Sequence, residues 1–269
     1  MDRHLIIAGQ GRAGSTLFYS MLRHTLRGVH LPETEMSAAA LLALPGDFCT
    51  KRPNDILDID QIGAAAKGRK RIDLIVTLRD PRDILTSRHD RVPDDYFCSA
   101  DACYTMFGVA APKRNGPGLI EVHQAIIDVA QGPWFPQGVY FLKYEDLLAD
   151  PDAVQRDLAA GFGLRFDAAF SATRPPVQSW EMQRAMGGDR PLEHSRKGRW
   201  RGPEHRDRIL DQFTRFPQLL DILVALEYEP DAGWFDAFRA QPPMTGPLAE
   251  GAAPAAAWRG SGRQEKGES

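Results

Sequence analysis

An apolar strand that leads directly into a glycine-rich turn and then a helix begins almost at the first residue of this chain. Residues 4–8 have the composition of a buried strand, residues 9–14 are rich in glycine, and residues 15–26 carry apolar side chains at helical spacing. The same order recurs at DLIVTL, residues 73–78, where Asp80 and Pro81 then open a helix. It recurs again at 139–143, followed by a helix over 151–162.

This alternation predicts an α/β chain: a three-layer, P-loop-like fold with a central parallel β-sheet flanked by helices. Ligands of such sheets bind at the carboxyl ends of the strands. Helices are predicted over about 37–44 and, more weakly, over 58–67, and residues 92–117 are irregular and rich in aromatic side chains. Two helices are predicted near the carboxyl terminus, over 203–216 and 218–226.

Length and composition bound the number of domains and the partners. With 269 residues, 43% of them hydrophobic, the chain can bury a sizeable core. We expect one α/β domain over 1–240 and a disordered tail over 241–269, which is rich in Pro, Ala and Gly. A formal net charge of -3 provides no overall attraction to nucleic acid, so none is expected as a partner, and any anionic ligand must meet local cations.

The three cysteines, Cys49, Cys98 and Cys103, form no C-x-x-C pair. They predict neither a disulfide framework nor a zinc site, and we interpret them as reduced packing residues. No metal is expected from the pattern of side chains. No leader segment or membrane-length apolar run is recognisable, so we expect no stable membrane insertion and a cytoplasmic location.

The first loop matches two phosphate-binding patterns. Gly9, Gly11 and Gly14 spell G-x-G-x-x-G, and Gly9 with Gly14 also has the spacing of G-x-x-x-x-G-K-[ST], with Ser15 where the lysine belongs. Backbone N–H groups and the helix dipole make an anion the expected ligand. A dinucleotide fold would need an acidic residue after a second strand, and Glu33 is a poor fit because Pro32 disfavours a central strand.

Two further segments suit anions, although each could also be a solvated surface. Arg79 directly follows the strongest strand, and Ser87 lies in the helix after it, a pair that suits one phosphate group. In the segment 194–202, Arg196 and Lys197 flank Gly198, which lets the backbone approach a phosphate closely.

Together these segments resemble the 3′-phosphoadenosine 5′-phosphosulfate (PAPS)-dependent sulfotransferases. That family has a [RK]-x-G-[ST]-T loop, an R-[DN]-P-x-[DE]-x-x-x-S segment and a late R-K-G loop. This chain has RAGST at 12–16, RDPRDILTS at 79–87 and RKG at 196–198, in that order. It also has KYEDLLADP at 143–151, which resembles the family's tyrosine-acidic segment, and the resemblance covers about residues 4–230.

The resemblance implies transfer of a sulfuryl group from PAPS to a hydroxyl of a carbohydrate or other small molecule, with release of 3′-phosphoadenosine 5′-phosphate (PAP) and without a metal. The residues it implies for the 5′-phosphosulfate are Gly11, Arg12, Ala13, Gly14, Ser15 and Thr16. Those it implies for the 3′-phosphate are Arg79, Ser87, Arg196, Lys197 and Gly198, and Tyr144 joins the donor-binding set. Arg12 and Lys51 are candidates for countering charge on the leaving oxygen.

The general base departs from one branch of the family. The small-molecule branch uses a lysine-x-histidine segment, whereas KRP stands here at 51–53, and Pro53 cannot act as a base. The carbohydrate branch more often uses a glutamate after the first helix, which this chain resembles more closely at ETE, 33–35. Glu35 and then Glu33 are therefore the candidates, with His30 a weaker one.

Three other functions remain open at this stage: a nucleotide-dependent kinase on the same strand–loop–helix, a non-catalytic PAP- or nucleotide-binding module, and a dinucleotide-dependent oxidoreductase. The missing P-loop lysine argues against the kinase. Four aromatic residues of the irregular segment could form a wall for the acceptor: Tyr96, Phe97, Tyr104 and Phe107. The sequence specifies neither the acceptor nor the oligomeric state.

Overall fold

A four-stranded parallel sheet forms the centre of the computed structural model, with strand order β2-β1-β3-β6. The structure describes residues 1–89, 92, 95–105, 111–172 and 197–241. The sheet strands are β1 (Asp2–Gly9), β2 (Phe48–Lys51), β3 (Lys70–Leu78) and β6 (Tyr140–Lys143). A separate antiparallel hairpin contains β4 (Ala102–Thr105) and β5 (Lys113–Pro117).

Helices cover both faces of this sheet. In chain order they are α1 (Ser15–Thr25), α2 (Ile59–Ala66), α3 (Pro81–Leu85), α4 (Leu119–Gln131), α5 (Tyr144–Ala149), α6 (Pro151–Phe162), α7 (Arg206–Arg215), α8 (Gln218–Ala225) and α9 (Gly233–Ala240). Short 3₁₀ turns connect several of them. Among the described residues, no helix is both long and apolar enough to cross a membrane.

Alternating side chains of the strands explain the three layers. On β1, Leu5 and Ile7 belong to one apolar cluster, which also contains residues of α1, α5 and α6. Ile6 and Ala8 belong to a second cluster with α2, α4 and α7 to α9. Successive residues of a strand point to opposite faces, so β1 is buried on both sides. The predicted three-layer α/β fold with a parallel sheet is confirmed.

The register of the strands brings the predicted ligand segments to one edge. Ile7 of β1 pairs with Lys51 of β2, and Gly9 pairs with Thr77 of β3. Leu78 of β3 pairs with Lys143 of β6. The four strands therefore end side by side, and the residues that follow them share the edge at which α/β folds bind ligands.

The cysteine prediction was wrong for one pair. Cys98 and Cys103 form a disulfide, whereas Cys49 is a buried free thiol, as expected. Burial raises the pKa of the Cys49 thiol. The sequence pattern missed this pair because only the chain reversal at Ser99–Asp101, where Ser99 N donates to Ala102 O over 2.7 Å, brings the two thiols together.

Several element boundaries also differ from the prediction. The helix expected over 37–44 is a 3₁₀ turn, Ala38–Leu41, and the predicted helix over 203–216 begins with a separate 3₁₀ turn, Pro203–His205. The hairpin of β4 and β5 and the helix α9 were not predicted. The tail assigned to 241–269 lies outside the described residues after Gln241.

Candidate functional site

The loop between β1 and α1 has a backbone that few residues adopt. Gly9 has φ 117°, Arg12 has φ 64° and Gly14 has φ 80°. A Cβ atom at Gly9 would lie 2.7 Å from the carbonyl oxygen of Thr77, so β1 and β3 approach too closely there for any side chain. The left-handed turn at Gly14 directs the chain into the N-terminus of α1, where Ser15 is buried.

Tyr144 closes the loop from the side of β6. A Cβ atom at Gly14 would overlap the Tyr144 ring, so this glycine is required by a neighbour as well as by its φ angle. The guanidinium of Arg79 also lies over the Tyr144 ring, 4.5 Å from its centroid. Three predicted donor-binding residues thus lie in contact although they come from separate parts of the sequence.

Arg12 extends away from the loop toward the residues that follow α3. The prediction that Ser87 lies in this helix was wrong, because α3 ends at Leu85. The Nε of Arg12 donates to Ser87 Oγ over 2.8 Å, and its Nη2 donates to the carbonyl oxygen of Arg88 over 3.2 Å. Its guanidinium also lies 5.3 Å from the ring centroid of Phe97. The side chain expected beside the transferring group therefore contacts Ser87, a residue assigned to the 3′-phosphate.

Arg79 is held at the base of the same loop. Its backbone N–H donates to Gln10 Oε1 over 2.9 Å, and its Nη1 donates to the carbonyl oxygen of Arg12 over 3.3 Å. We call Arg12, Arg79 and Ser87 the arginine end of the site. The two arginines carry positive charge and donate hydrogen bonds, and the hydroxyl of Ser87 can also donate one. Such a group would bind an anion through charge-assisted hydrogen bonds.

The late glycine loop lies against α3. Asp83 Oδ2 accepts from the backbone N–H of Gly198 over 2.8 Å, and Oδ1 accepts from that of Trp200 over 3.1 Å. Lys197 is exposed, and Gly198 has φ 73°. Arg196, predicted with them, lies outside the described residues.

Lys51, Thr16 and Glu35 meet at the other end of the glycine loop, which we call the lysine end. Lys51 Nζ lies 3.3 Å from Thr16 Oγ1 and forms an ion pair with Glu35 Oε2. The side chain of Lys51 is only 6% exposed, so its ammonium group is held where β2 ends. An acid, a cation and a hydroxyl beside an anion-binding loop can move a proton and stabilise a leaving oxygen.

The other candidate bases have different surroundings. Glu33 is 78% exposed at its side chain and pairs with Arg23 at 3.6 Å. The His30 ring packs edge-on against Phe48, with 5.4 Å between ring centroids. Neither contact involves the glycine loop, whereas Glu35 reaches it through Lys51.

Buried polar groups support the start of α3 from below. Glu145 Oε1 accepts from the backbone N–H of Asp80 over 3.1 Å, and Oε2 accepts from the hydroxyl of Tyr228 over 2.7 Å. Burial raises the pKa of this carboxyl group. Asp80 in turn caps α3 by accepting from the Arg82 N–H over 2.9 Å.

Two residues that organise this site, Gln10 and Asp83, were not predicted from the sequence. Gln10 is fully buried and holds the backbone of Arg79, and Asp83 joins Arg79 to the late loop. Asp83 occupies the acidic position of the R-[DN]-P-x-[DE] pattern. The pattern could have drawn attention to this residue, but it gave no function for the carboxylate. In the parts of the chain that the structure describes, no three His, Cys, Asp or Glu side chains are grouped to hold a metal ion.

No protein-family model matches this sequence, and no curated protein matches it significantly. The fold is similar to the sulfotransferase domain of the Synechococcus PCC 7002 olefin synthase, at 15% identity and TM-score 0.49, covering 75% of this chain and 88% of that one. It is similar to a sulfotransferase domain of the curacin biosynthetic pathway, at 12% identity and TM-score 0.46, covering 75% and 90%. It is also similar to mouse sulfotransferase SULT7A1 complexed with PAP, at 13% identity and TM-score 0.41, covering 83% and 85%. Each of the three is described as a sulfotransferase or a sulfotransferase domain.

Proposed function

We propose that this chain is a PAPS-dependent sulfotransferase that transfers a sulfuryl group to the hydroxyl of a small molecule or glycan and releases PAP. One observation carries the proposal: the loop between β1 and α1 has an arginine end at Arg79 and Ser87 and a lysine end at Lys51 and Thr16. Two separate groups of hydrogen-bond donors, one at each end of this loop, suit a ligand with two separate anionic groups. The 3′-phosphate and the 5′-phosphosulfate of PAPS are such a pair.

In this proposal the arginine end and the loop around Gly198 bind the 3′-phosphate. The backbone of residues 11–16 binds the 5′-phosphosulfate, aided by the hydroxyl groups of Ser15 and Thr16 and by the helix dipole of α1. Tyr144, packed against Gly14, would hold the loop in place for this ligand. Arg12 would lie between the two anionic groups, and its contact with Ser87 supports a role at the 3′-phosphate in addition to the predicted one at the leaving oxygen.

The transfer itself uses the lysine end. The acceptor oxygen forms a bond to sulfur while the bond from sulfur to the bridging oxygen breaks, so PAP leaves with that oxygen. Lys51 would offset the charge that develops on the bridging oxygen, and Glu35 would take the acceptor proton. As with phosphoryl transfer, the remainder of catalysis is positioning of the two reactants in line.

The acceptor class follows from the choice of base. A glutamate after the first helix resembles the carbohydrate branch, so we propose a sugar hydroxyl first and another small-molecule alcohol second. A cytoplasmic location is also part of the proposal. Disulfides such as that between Cys98 and Cys103 are rare in that compartment, so the redox state of this pair in cells tests the location.

A thermal shift experiment tests the donor. We expect PAP to raise the melting temperature, and ATP with Mg²⁺ or NAD(P) to leave it unchanged, because ligands that bind only the folded state stabilise it. No shift with PAP would disprove the proposal. A shift with ATP and Mg²⁺ alone would indicate a kinase, and PAP binding without transfer to any acceptor in a screen with labelled PAPS would indicate a non-catalytic module.

A further inference from the structure

Asp83 is the one carboxylate that contacts both predicted parts of the 3′-phosphate site among the described residues. Its Oδ2 lies 3.4 Å from Arg79 Nη2, one helical turn earlier, and 2.8 Å from the Gly198 amide nitrogen, 115 positions later in the chain. The Asp83 side chain is 0% exposed, so water does not compete for these contacts. We propose that Asp83 is the positioning residue through which the protein recognises the 3′-phosphate, and this proposal rests on the proposed function.

The chemistry of the contact requires a carboxylate. Gly198 and Trp200 each direct a backbone N–H at a different oxygen of Asp83, so both oxygens must accept. An asparagine has one accepting oxygen and one NH₂ group, which would face a second N–H donor. A buried donor without an acceptor costs more free energy than the hydrogen bond contributes.

The contact also orients the guanidinium of Arg79. The carboxylate attracts Nη2, while Nη1 donates to the carbonyl oxygen of Arg12 over 3.3 Å. Both ends of the fork are thereby fixed above the Tyr144 ring. Since a bidentate arginine is useful only in one orientation, Asp83 sets how Arg79 meets a phosphate.

A purely electrostatic effect of Asp83 and a positioning role predict opposite changes in PAP affinity when the carboxylate is removed. Asp83→Asn removes a negative charge beside an anion site, so a simple electrostatic effect would strengthen binding of every nucleotide phosphate. Loss of positioning would instead weaken PAP and leave AMP, which lacks the 3′-phosphate, nearly unchanged. The ratio of the two dissociation constants therefore reports the role of Asp83.

Isothermal titration of the full chain with PAP and with AMP measures this ratio. In Asp83→Asn we expect PAP to bind about tenfold more weakly, as for loss of a charge-assisted hydrogen bond, and AMP to change by less than about twofold. Asp73→Asn is the matched control, because Asp73 is another buried carboxylate that pairs with arginine. It lies on β3, toward the end of the strand that is farther from the site. This variant is expected to leave both constants as in the wild type.

Hydrogen exchange of the ligand-free protein tests the same contact in the absence of PAP and AMP. Faster exchange at the amides of residues 198 and 200 in Asp83→Asn supports the contact between Asp83 and this loop, and unchanged exchange overturns it.

An unchanged ratio of the dissociation constants of PAP and AMP, or tighter binding of both, overturns the recognition role while leaving the proposed function intact. A wild type that does not prefer PAP overturns the proposed function and this role with it. If Asp83→Asn does not fold by circular dichroism, Asp83→Glu, whose longer side chain keeps the charge but displaces the loop, is tested by the same criteria.

Discussion

Glu33 and Glu35 show how two like residues, two positions apart, acquire different chemistry. Glu35 forms an ion pair with Lys51 and is 20% exposed at its side chain, whereas Glu33 is 78% exposed. The sequence could rank them only by resemblance, because it contains no measure of distance to Thr16 or Lys51. The structure brings Glu35 alone of the two to the lysine end, which supports it as the proposed base.

We predict that Glu35→Gln lowers kcat roughly 10²- to 10⁴-fold, because the amide cannot take the acceptor proton. Affinity for PAP should be retained or increased, since Lys51 loses its carboxylate partner. Steady-state kinetics with labelled PAPS and titration with PAP check the two parts. Glu33→Gln is the matched control and should keep kcat within about twofold, as expected for an exposed ion pair; the reverse order of effects would move the base to Glu33.

His4 is a residue whose burial makes stability depend on pH. Desolvation, and secondly the charge of Lys70, lower the pKa of His4 from 6.5 to about 4. Its Nε2 lies 2.9 Å from Thr50 Oγ1 on the neighbouring strand. Between pH 4 and 6.5 the unfolded chain therefore binds more protons at this position than the folded protein does, so stability must fall as the pH is lowered through that window.

We predict that His4→Gln removes about 2 kcal/mol of the change in unfolding free energy between pH 7.5 and pH 5, the part that His4 contributes. Urea denaturation of the variant and the wild type at both pH values gives this difference. The raised pKa of Glu145 acts in the opposite direction in both proteins and cancels in the comparison. Equal slopes for His4→Gln and the wild type would contradict the assignment to His4.

At the scale of elements, the loop between β1 and α1 was predicted in position but not in detail. Local spacing predicted a phosphate-binding loop at Gly9, Gly11 and Gly14. It did not distinguish their roles, because a glycine that a neighbour requires looks the same in sequence as one that is free. Gly14 lies against Tyr144 with φ 80°, whereas a Cβ atom at Gly11 would have nothing within 4 Å.

We predict that Gly14→Ala destabilises the protein by about 1–3 kcal/mol and abolishes the thermal shift with PAP, because it strains the backbone and displaces the Tyr144 ring. Gly11→Ala is the matched control for stability, which it should retain because a Cβ atom there has nothing within 4 Å. Thermal melts with and without PAP measure the two effects. Equal stability of the two variants would show that the loop adapts and that its contact with Tyr144 is dispensable.

At the scale of the whole molecule, the carboxyl-terminal helices are part of the same apolar core as the sheet. Trp234 of α9 lies 5.5 Å from Trp200 and 5.2 Å from Phe213 between ring centroids. The Arg82 guanidinium lies 4.6 Å from the Trp234 ring. A continuous cluster of this kind links α9 to α3 and supports the prediction of one domain over 1–240.

We predict that Trp234→Ala lowers the unfolding free energy by about 3 kcal/mol and that the protein still unfolds in one transition. Circular dichroism and scanning calorimetry should report the same midpoint. Phe141→Ala, on the exposed edge strand β6, is the control and should cost less than about 1 kcal/mol. Two separate transitions, of which Trp234→Ala moves only one, would divide the chain into two domains.

Local patterns were enough to determine the fold class and the order of the main strands and helices, and they predict three segments suited to anions. Strand burial, helix spacing, capping at Asp80 and glycine turns all act over a few residues, so they can be recognised in the sequence. Only the tertiary structure decided the strand order, the disulfide between Cys98 and Cys103, and the contacts of Gln10 and Asp83. Those depend on contacts such as Asp83 with Gly198, across 115 positions, which form because the chain packs around the sheet and which no local pattern records.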